Sequence, residues 1–418
     1  VENTGNNHGP VRIKEDYFIY ADGTPYIPIG TTCYAWIHQT QELIDQTLDT
    51  LSRSPFNKVR MCVFPKSMPY NHNDPDCYPF KKDASGKWDV NQPDPVFWDK
   101  LDAQITNLSQ LGIEADLILF HPYDRWGFSE MLQEASLDYV KYCVVRLGAH
   151  RNLWWSLANE YDDLAKKTLK DWDEYGMLIK EKDSYKHLTS VHNIITPYPK
   201  RPWMTHCSIQ SGEIDKIIAW KKAYEIPVII DECGYEGNLP YDWGNLTAFE
   251  MVHRFWWSIC RGGFCTHGET FHRDDEVLWW AKGGVLYGES PVRIAFLKTL
   301  LYELGPWKAV VFDPKAGPEE IKVRMNRLIE NASLECRERF IADISPKKIE
   351  GKGFSLTYFG RSRPAYTYLS LNPQKRFKAE IINIWEMTKT LAAEGITGEL
   401  RIGLPAQEGI ALLVTELN

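Results

Sequence analysis

WWSLANEYD, residues 154–162, runs from two tryptophans through small apolar residues to an Asn-Glu pair and then into more polar sequence. Such a stretch reads as a buried strand that stops on an amide and a carboxylate. Counting the run 152–160 that contains it, eight short apolar runs stand along the chain, the others being 26–36, 56–65, 113–123, 187–194, 204–210, 226–232 and 262–271. Between them apolar residues recur at spacings of three and four over 95–111, 129–148, 164–182, 212–224, 246–260 and 290–304, which predicts helices. Strands alternating with helices argue for parallel β/α units, and eight such units in about 280 residues fit a closed (β/α)8 TIM barrel. An open doubly wound sheet is the rival arrangement, but no Gly-rich phosphate fingerprint follows any early strand.

Beyond about residue 306 the pattern changes. GFSLTYFG, PAYTYLSL, FKAEIINIW, GELRIGLP and GIALLVTEL cluster or alternate β-formers between Gly, Pro and Asn turns, as an all-β sandwich does. The expected division is therefore a catalytic α/β barrel over 1–305 and a C-terminal β-sandwich over 306–418. The stretch 317–340 reads as a charged helix or an insertion.

Composition narrows the classes of partner. With 418 residues, 44% of them apolar and 13% aromatic, the chain can bury a large core. Its 48 basic and 56 acidic residues leave a net charge of −8 without a long basic run, which excludes nucleic acid as a main partner. No apolar run approaches the roughly 18 residues that span a bilayer. The amino end, VENTGNNHGP, has neither a basic n-region nor an apolar h-region, although it begins on Val1 rather than Met and so leaves open a start that was cleaved or omitted. Nine cysteines are scattered mostly inside apolar stretches (Cys33, Cys62, Cys143, Cys233), as small buried hydrophobes rather than a disulfide framework. That favours a reducing compartment, and a cytoplasmic location is the expectation. The oligomeric state is not legible in the sequence.

In a parallel barrel the carboxyl ends of all strands face one rim, where catalytic groups gather. Asn159 and Glu160 end the fourth run, and Asp231 and Glu232 end the seventh, IPVIIDE. Taken singly, either pair is as well explained by a helix N-cap followed by a carboxylate that the helix dipole favours. Their joint placement at the fourth and seventh positions points to chemistry instead. Two carboxyl groups about 5–5.5 Å apart suit double displacement at a sugar anomeric carbon, one as nucleophile and the other as acid, then base.

ANE at 158–160 and IIDE at 229–232 resemble the strand-four Asn-Glu and strand-seven Glu of the clan A retaining glycoside hydrolases. YADGTPYIPIGTTCYAW (20–36), VRMCVFP (59–65) and THGETF (266–271) are more closely similar to an uncharacterised bacterial barrel family of that clan, whose barrel is often followed by a small β domain like LTYFGRSRPAYTYLSL. The similarity covers nearly the whole chain. It implies Glu160 as acid/base, Glu232 as nucleophile and Asn159 as a hydrogen-bond donor to the sugar 2-hydroxyl. Arg60 in KVRMCVF matches the clan's strand-two arginine. A guanidinium beside Glu232 would keep that carboxylate ionised, although a structural salt bridge accounts for a strand arginine as well.

His121 and His192 end the third and fifth strands, where each is equally suited to bind a substrate hydroxyl or to sit as a satisfied polar residue. Many clan members end strand eight on a tryptophan platform, whereas CTHGETF offers His267 and Glu269, and Glu269 competes for a catalytic role. Trp36, Trp126, Trp279 and Trp280 fall in expected rim loops and are candidates to stack on a pyranose face, with core packing as the ordinary alternative for each. There is no His-x-His on strand one, no His-Glu-x-x-His, no Gly-x-Ser-x-Gly and no Walker loop, so neither a metal nor another cofactor is expected in the chemistry. The expected function is a retaining glycosidase acting on an oligosaccharide or glycoside, exo-acting because the Tyr/Pro/Asp-rich loop 64–95 is long enough to wall off a pocket. The alternative is a non-catalytic carbohydrate-binding barrel, which would not need both glutamates.

Overall fold

The eight apolar runs form the eight strands of a single sheet in the computed structural model, which describes residues 7–313 and 319–417. They are β1 (Gly30–Thr32), β2 (Lys58–Cys62), β3 (Glu114–Phe120), β4 (Leu153–Ala158), β5 (Leu188–Ser190), β6 (Cys207–Gln210), β7 (Val228–Glu232) and β8 (Phe264–His267). Hydrogen bonding runs in the order β5-β4-β3-β2-β1-β8-β7-β6. A parallel bridge between His192 and Ser208 joins the two ends, closing the sheet into the expected TIM barrel.

Every residue of β2, β3 and β4 is buried, as a strand covered on both faces requires. The lumen nevertheless holds charge. Lys58 on β2 donates to Asp116 on β3 at 2.9 Å and to Asp231 on β7 at 2.6 Å. Gly30 on β1 leaves room for this, since a Cβ there would lie 2.9 Å from Lys58 Cε and 3.0 Å from Thr266 Oγ1.

Helices α1 (Gln41–Arg53), α2 (Pro95–Gln110), α3 (Gln133–Leu147) and α4 (Leu169–Lys182) return the chain between strands. Their starts are chemically marked. Thr40 caps α1, Asp94 caps α2 ahead of a proline in its first turn, and Thr168 and Asp171 form a reciprocal capping box on α4. At the amino end a three-stranded antiparallel sheet, Val11–Lys14, Tyr17–Tyr20 and Pro25–Tyr26, packs Phe18 against Trp154 near the start of β4, with ring centres 5.4 Å apart. Among the described residues no helix is long and apolar enough to cross a membrane.

The chain divides into two compact units. The first takes the chain up to Gly212, Ile226–Ala248 and Cys265–Pro291; the second takes Glu213–Glu225, Phe249–Phe264 and the chain from Val292 on. In the second unit an antiparallel sheet orders Trp307–Ala309, Lys348–Gly351, Phe354–Tyr358, Ile410–Leu417, Arg376–Asn383 and Thr388–Ile396, while Tyr366–Ser370 pairs with Glu399–Gly403 separately. Ala379, Leu412 and Val414 of the larger sheet pack with Ile402 and Leu369 of the smaller, which makes the expected sandwich. The stretch 317–340 is helical over Glu319–Glu330 and into Leu334–Ile344; its residues 317 and 318, like residues 1–6 of the amino end, lie outside the described residues. Upstream and downstream segments of the second unit are tied together. Arg261 donates to Asp215 at 2.8 Å and to the Ala342 carbonyl, and His253 Nδ1 lies 2.9 Å from the Tyr358 hydroxyl.

Candidate active site

Backbone bonds beyond the end of β4 aim its last residues. Asn159 N–H donates to the Phe120 carbonyl at 2.9 Å, His192 N–H to that of Ala158 at 3.1 Å, and Tyr161 N–H to that of His192 at 2.9 Å. Glu160 then takes a left-handed backbone, φ 54° and ψ 57°, a conformation that side-chain-bearing residues adopt at a cost of about 1–3 kcal/mol and that gathers at functional sites. Its side chain is buried. With the Gln210 amide turned so that its nitrogen faces acceptors, that nitrogen donates to Glu160 Oε1 at 3.0 Å. Glu160 Oε2 is buried without a protein partner.

Glu232 ends β7, where Gln210 pairs with it across an irregular step in the β6–β7 register. Its Oε1 accepts from the Tyr34 hydroxyl, which also lies 3.2 Å from Asn159 Oδ1 and 3.4 Å from the Tyr235 hydroxyl. Burial, and then the negative charge of nearby Glu232, hold the Tyr235 hydroxyl well above an ordinary phenol. The two glutamates feel one another: burial first, and then the negative charge of Glu232, push Glu160 up to about 7.

Asn159 Oδ1 accepts from Arg60 Nη2 at 3.0 Å, while its Nδ2 is buried with no protein acceptor. The remaining partners of Arg60 are Asp231 at 3.2 Å, Ser208 at 3.1 Å and Asp116 at 3.8 Å, so its direct contact is with Asn159 and the lumen acids rather than with Glu232. Burial alone would raise Asp231, but Lys58 and Arg60 outweigh it and hold that carboxyl well below the usual range. His192 sits with Nε2 3.8 Å from Glu232 Oε1 and neither ring nitrogen bonded, and burial keeps it neutral, far below an ordinary histidine. His121 bonds the Phe64 carbonyl at 3.2 Å and is lowered by burial, and then by the nearby Lys66, to about 3.

The tryptophans separate. Trp280 packs edge-on against Tyr34 and tilted against Tyr235, with ring centres 6.1 Å away in both cases. It also touches Trp243 at 5.1 Å, which stacks on Tyr241 at 5.4 Å, and both of these rings are partly exposed. Trp36 is fully buried, and Trp279 is buried with its N–H on the Thr31 hydroxyl at 2.8 Å. Trp126 lies with Asp74 and Tyr78 of the 64–95 loop. His267 and Glu269 form a separate buried group with Glu236.

Sequence reasoning passed over Tyr34, Lys66, Tyr123, Gln210 and Tyr235. Lys66 is buried with its ammonium 3.4 Å from the Tyr34 ring centre and 4.4 Å from that of Tyr123. All five lie at or just beyond the carboxyl ends of β1, β2, β3, β6 and β7, so the rule that singled out Glu160 reaches them too.

Residues 13–321 match the family described as "Apiosidase-like, catalytic domain". The chain belongs to the Apiosidase-like family. A second family, a domain of unknown function, matches residues 344–415. This Apiosidase-like chain is similar over 100% of its length, and over 84% of the other chain, to a protein from Bacteroides vulgatus described as a candidate glycoside hydrolase, at 35% identity and a TM-score of 0.85. At 15% identity its fold is shared by a glycoside hydrolase (98% and 97% of the two chains, TM-score 0.66) and by a glycoside hydrolase family 5 protein from Bacteroides vulgatus (98% and 94%, TM-score 0.68). No curated protein matches it. Family membership and fold make the Apiosidase-like chain a glycosidase.

Proposed function

We propose that the chain hydrolyses a glycoside with retention of configuration, Glu232 attacking the anomeric carbon and Glu160 serving as acid, then base. The observation that carries this is the asymmetry of the pair. Glu160 is buried and pushed up to about 7, so it keeps a proton far above the range of an ordinary carboxyl, whereas Glu232 accepts a hydrogen bond from the Tyr34 hydroxyl at Oε1. In the first step the Glu232 carboxylate forms an ester to the anomeric carbon while the bond to the leaving oxygen breaks and takes the Glu160 proton. In the second, water attacks that carbon, gives its proton to Glu160 and releases Glu232. The unpaired Asn159 Nδ2 is placed to donate to the sugar 2-hydroxyl, and the partly exposed Tyr241–Trp243 pair beside Trp280 offers an apolar face for a sugar ring.

Exo action is part of the proposal. Met68 and Tyr70 of the 64–95 loop pack into the cluster of Tyr34, Tyr123, Tyr235 and Trp280, which supports a wall on one side of the site. Given the family's description, apiosides belong in the first substrate panel, beside nitrophenyl glycosides of the common hexoses and pentoses. Glu232→Gln removes nearly all turnover on whichever substrate is cleaved while binding persists. With Glu160→Ala and an activated aryl glycoside, azide restores turnover and gives a glycosyl azide of the substrate's own configuration, read by proton NMR. An inverted azide overturns the assignment of roles, and Glu232→Gln activity within tenfold of wild type removes Glu232 from the chemistry. A carbohydrate-binding barrel without catalysis would bind members of the panel and cleave none.

A further inference from the structure

Beyond Tyr235 in the chain, three groups that the proposed chemistry does not use converge. One oxygen of Glu236, one of Glu269 and a ring nitrogen of His267 all lie within 4.8 Å of one another, and all three residues are buried. His267 Nε2 has no hydrogen-bond partner and faces Glu269 Oε1 at 3.7 Å. Its other nitrogen, Nδ1, lies 3.0 Å from the Thr31 hydroxyl, whose oxygen also accepts from the Trp279 indole, and the ring stacks on Phe56 with centres 4.6 Å apart. The imidazole is therefore fixed in orientation, with Nδ1–H able to donate to Thr31 and the Nε2 lone pair directed at the carboxylates.

The carboxylates are held just as firmly. Tyr287 and Gly288 N–H donate to the two oxygens of Glu269 at 2.8 and 2.9 Å, and Glu289 and Ser290 N–H to those of Glu236 at 2.9 and 3.2 Å. The backbone approaches so closely that a Cβ on Gly288 would lie 2.5 Å from Glu236 Oε2 and 2.6 Å from Glu269 Oε1. Among the described residues neither carboxylate pairs with a lysine or arginine. Two buried acids beside a buried imidazole with a free lone pair, each oriented by an outer ring of donors or acceptors, form a cation-binding arrangement.

We propose that Glu236, His267 and Glu269 bind one divalent first-row transition ion, which pins the segments that follow β7 and β8 to residues 287–290. The imidazole nitrogen selects this class over magnesium and calcium, which take oxygen ligands. Ligands at about 2.1 Å from one ion lie within about 4.2 Å of each other, so closing the site takes movements of roughly half an ångström. The role is structural. None of the three ligands bonds Glu160 or Glu232 among the described residues, and the proposal stands or falls independently of the glycosidase mechanism.

The test uses the full chain, stripped with EDTA, dialysed, and given zinc or manganese alone. One ion per chain is retained after desalting, as counted by mass spectrometry, and the melting temperature rises by about 2 °C or more. His267→Gln and Glu269→Gln each weaken retention at least tenfold while their far-UV circular dichroism stays that of wild type. Cobalt gives an independent reading on the unmutated protein, through visible absorption bands of an ion bound by one nitrogen and oxygens. A stripped chain that retains no ion, shows no cobalt bands and melts unchanged overturns the proposal and leaves a proton shared between the carboxylates as what holds them together. Equal retention by the wild type and both variants overturns it as well, since the ion then sits elsewhere.

Discussion

Glu160 owes its proton to burial and to the charge of Glu232, and the ammonium of Lys66 opposes both by favouring ionisation. A general acid must be protonated to act, so kcat/KM on a poor leaving group falls as pH rises through about 7. Lys66→Met removes the opposing charge and leaves Glu160 a stronger hold on its proton. The alkaline limb of the pH–rate profile then moves to higher pH, and a limb that moves down or stays still shows that Lys66 does not act on Glu160. At this scale the sequence was legible wherever a polar residue ended an apolar run, which is how Glu160, Glu232, Asn159 and His192 were singled out, while Arg60 inside its run was picked out by resemblance to the clan. It was not legible where a side chain works through a partner far along the chain: Tyr34 meets Glu232 across 198 positions. The same limit applies to His267 and Glu269, whose strand-end positions point to the rim while their side chains turn to Glu236 and Thr31.

Alternation carries charged side chains of the barrel strands into a closed lumen, where Lys58, Arg60, Asp116 and Asp231 neutralise one another. Removing one member leaves the others buried and unpaired. Asp231→Asn is therefore expected to cost about 3–5 kcal/mol in urea unfolding, far above the roughly 1 kcal/mol of an ordinary hydrogen bond. Because the folded carboxyl lies below its unfolded value, its contribution is present above the unfolded pKa and is lost as pH falls through the folded one, so wild type and variant converge in stability toward acid. A difference that persists unchanged at pH 3 would assign the loss to packing instead. The elements themselves were largely readable from periodicity, with ends displaced where caps decide them: the run expected over 164–182 begins at Leu169, directly after its N-cap Thr168, which Asp171 of the first turn completes as a capping box. Helix α1 was passed over although Ile44, Thr47, Thr50 and Leu51 form its buried stripe, because two threonines in that stripe weaken the apolar period.

The two units interleave along the chain, so the change of sequence character near residue 306 is not a place where the molecule separates cleanly. Asp215, His253 and Arg261 lie well before it, yet their partners include Ala342 and Tyr358 well after it. A chain ended at residue 305 is expected to lose those partners and to unfold without a sharp urea transition, and a fragment that keeps wild-type near-UV circular dichroism and cooperativity would show that the barrel stands alone. Composition and turn residues were enough to place the sandwich, because β-formers between Gly, Pro and Asn carry a local signal. Which earlier segments join its unit carries none, since the contacts that decide it lie far apart in sequence, His253 meeting Tyr358 and Phe249 meeting Trp385. That interleaving also sets an order of events during synthesis. A ribosome releases residues 213–225 and 249–264 before Leu334–Tyr358 exist to cover them, so the nascent chain carries uncovered apolar helix faces, Ile217 and Trp256 among them, until those later segments emerge. The second unit therefore closes only after its last strand has left the ribosome, and protease resistance of that unit in stalled nascent chains should appear only when the stall site lies past the end of the sandwich.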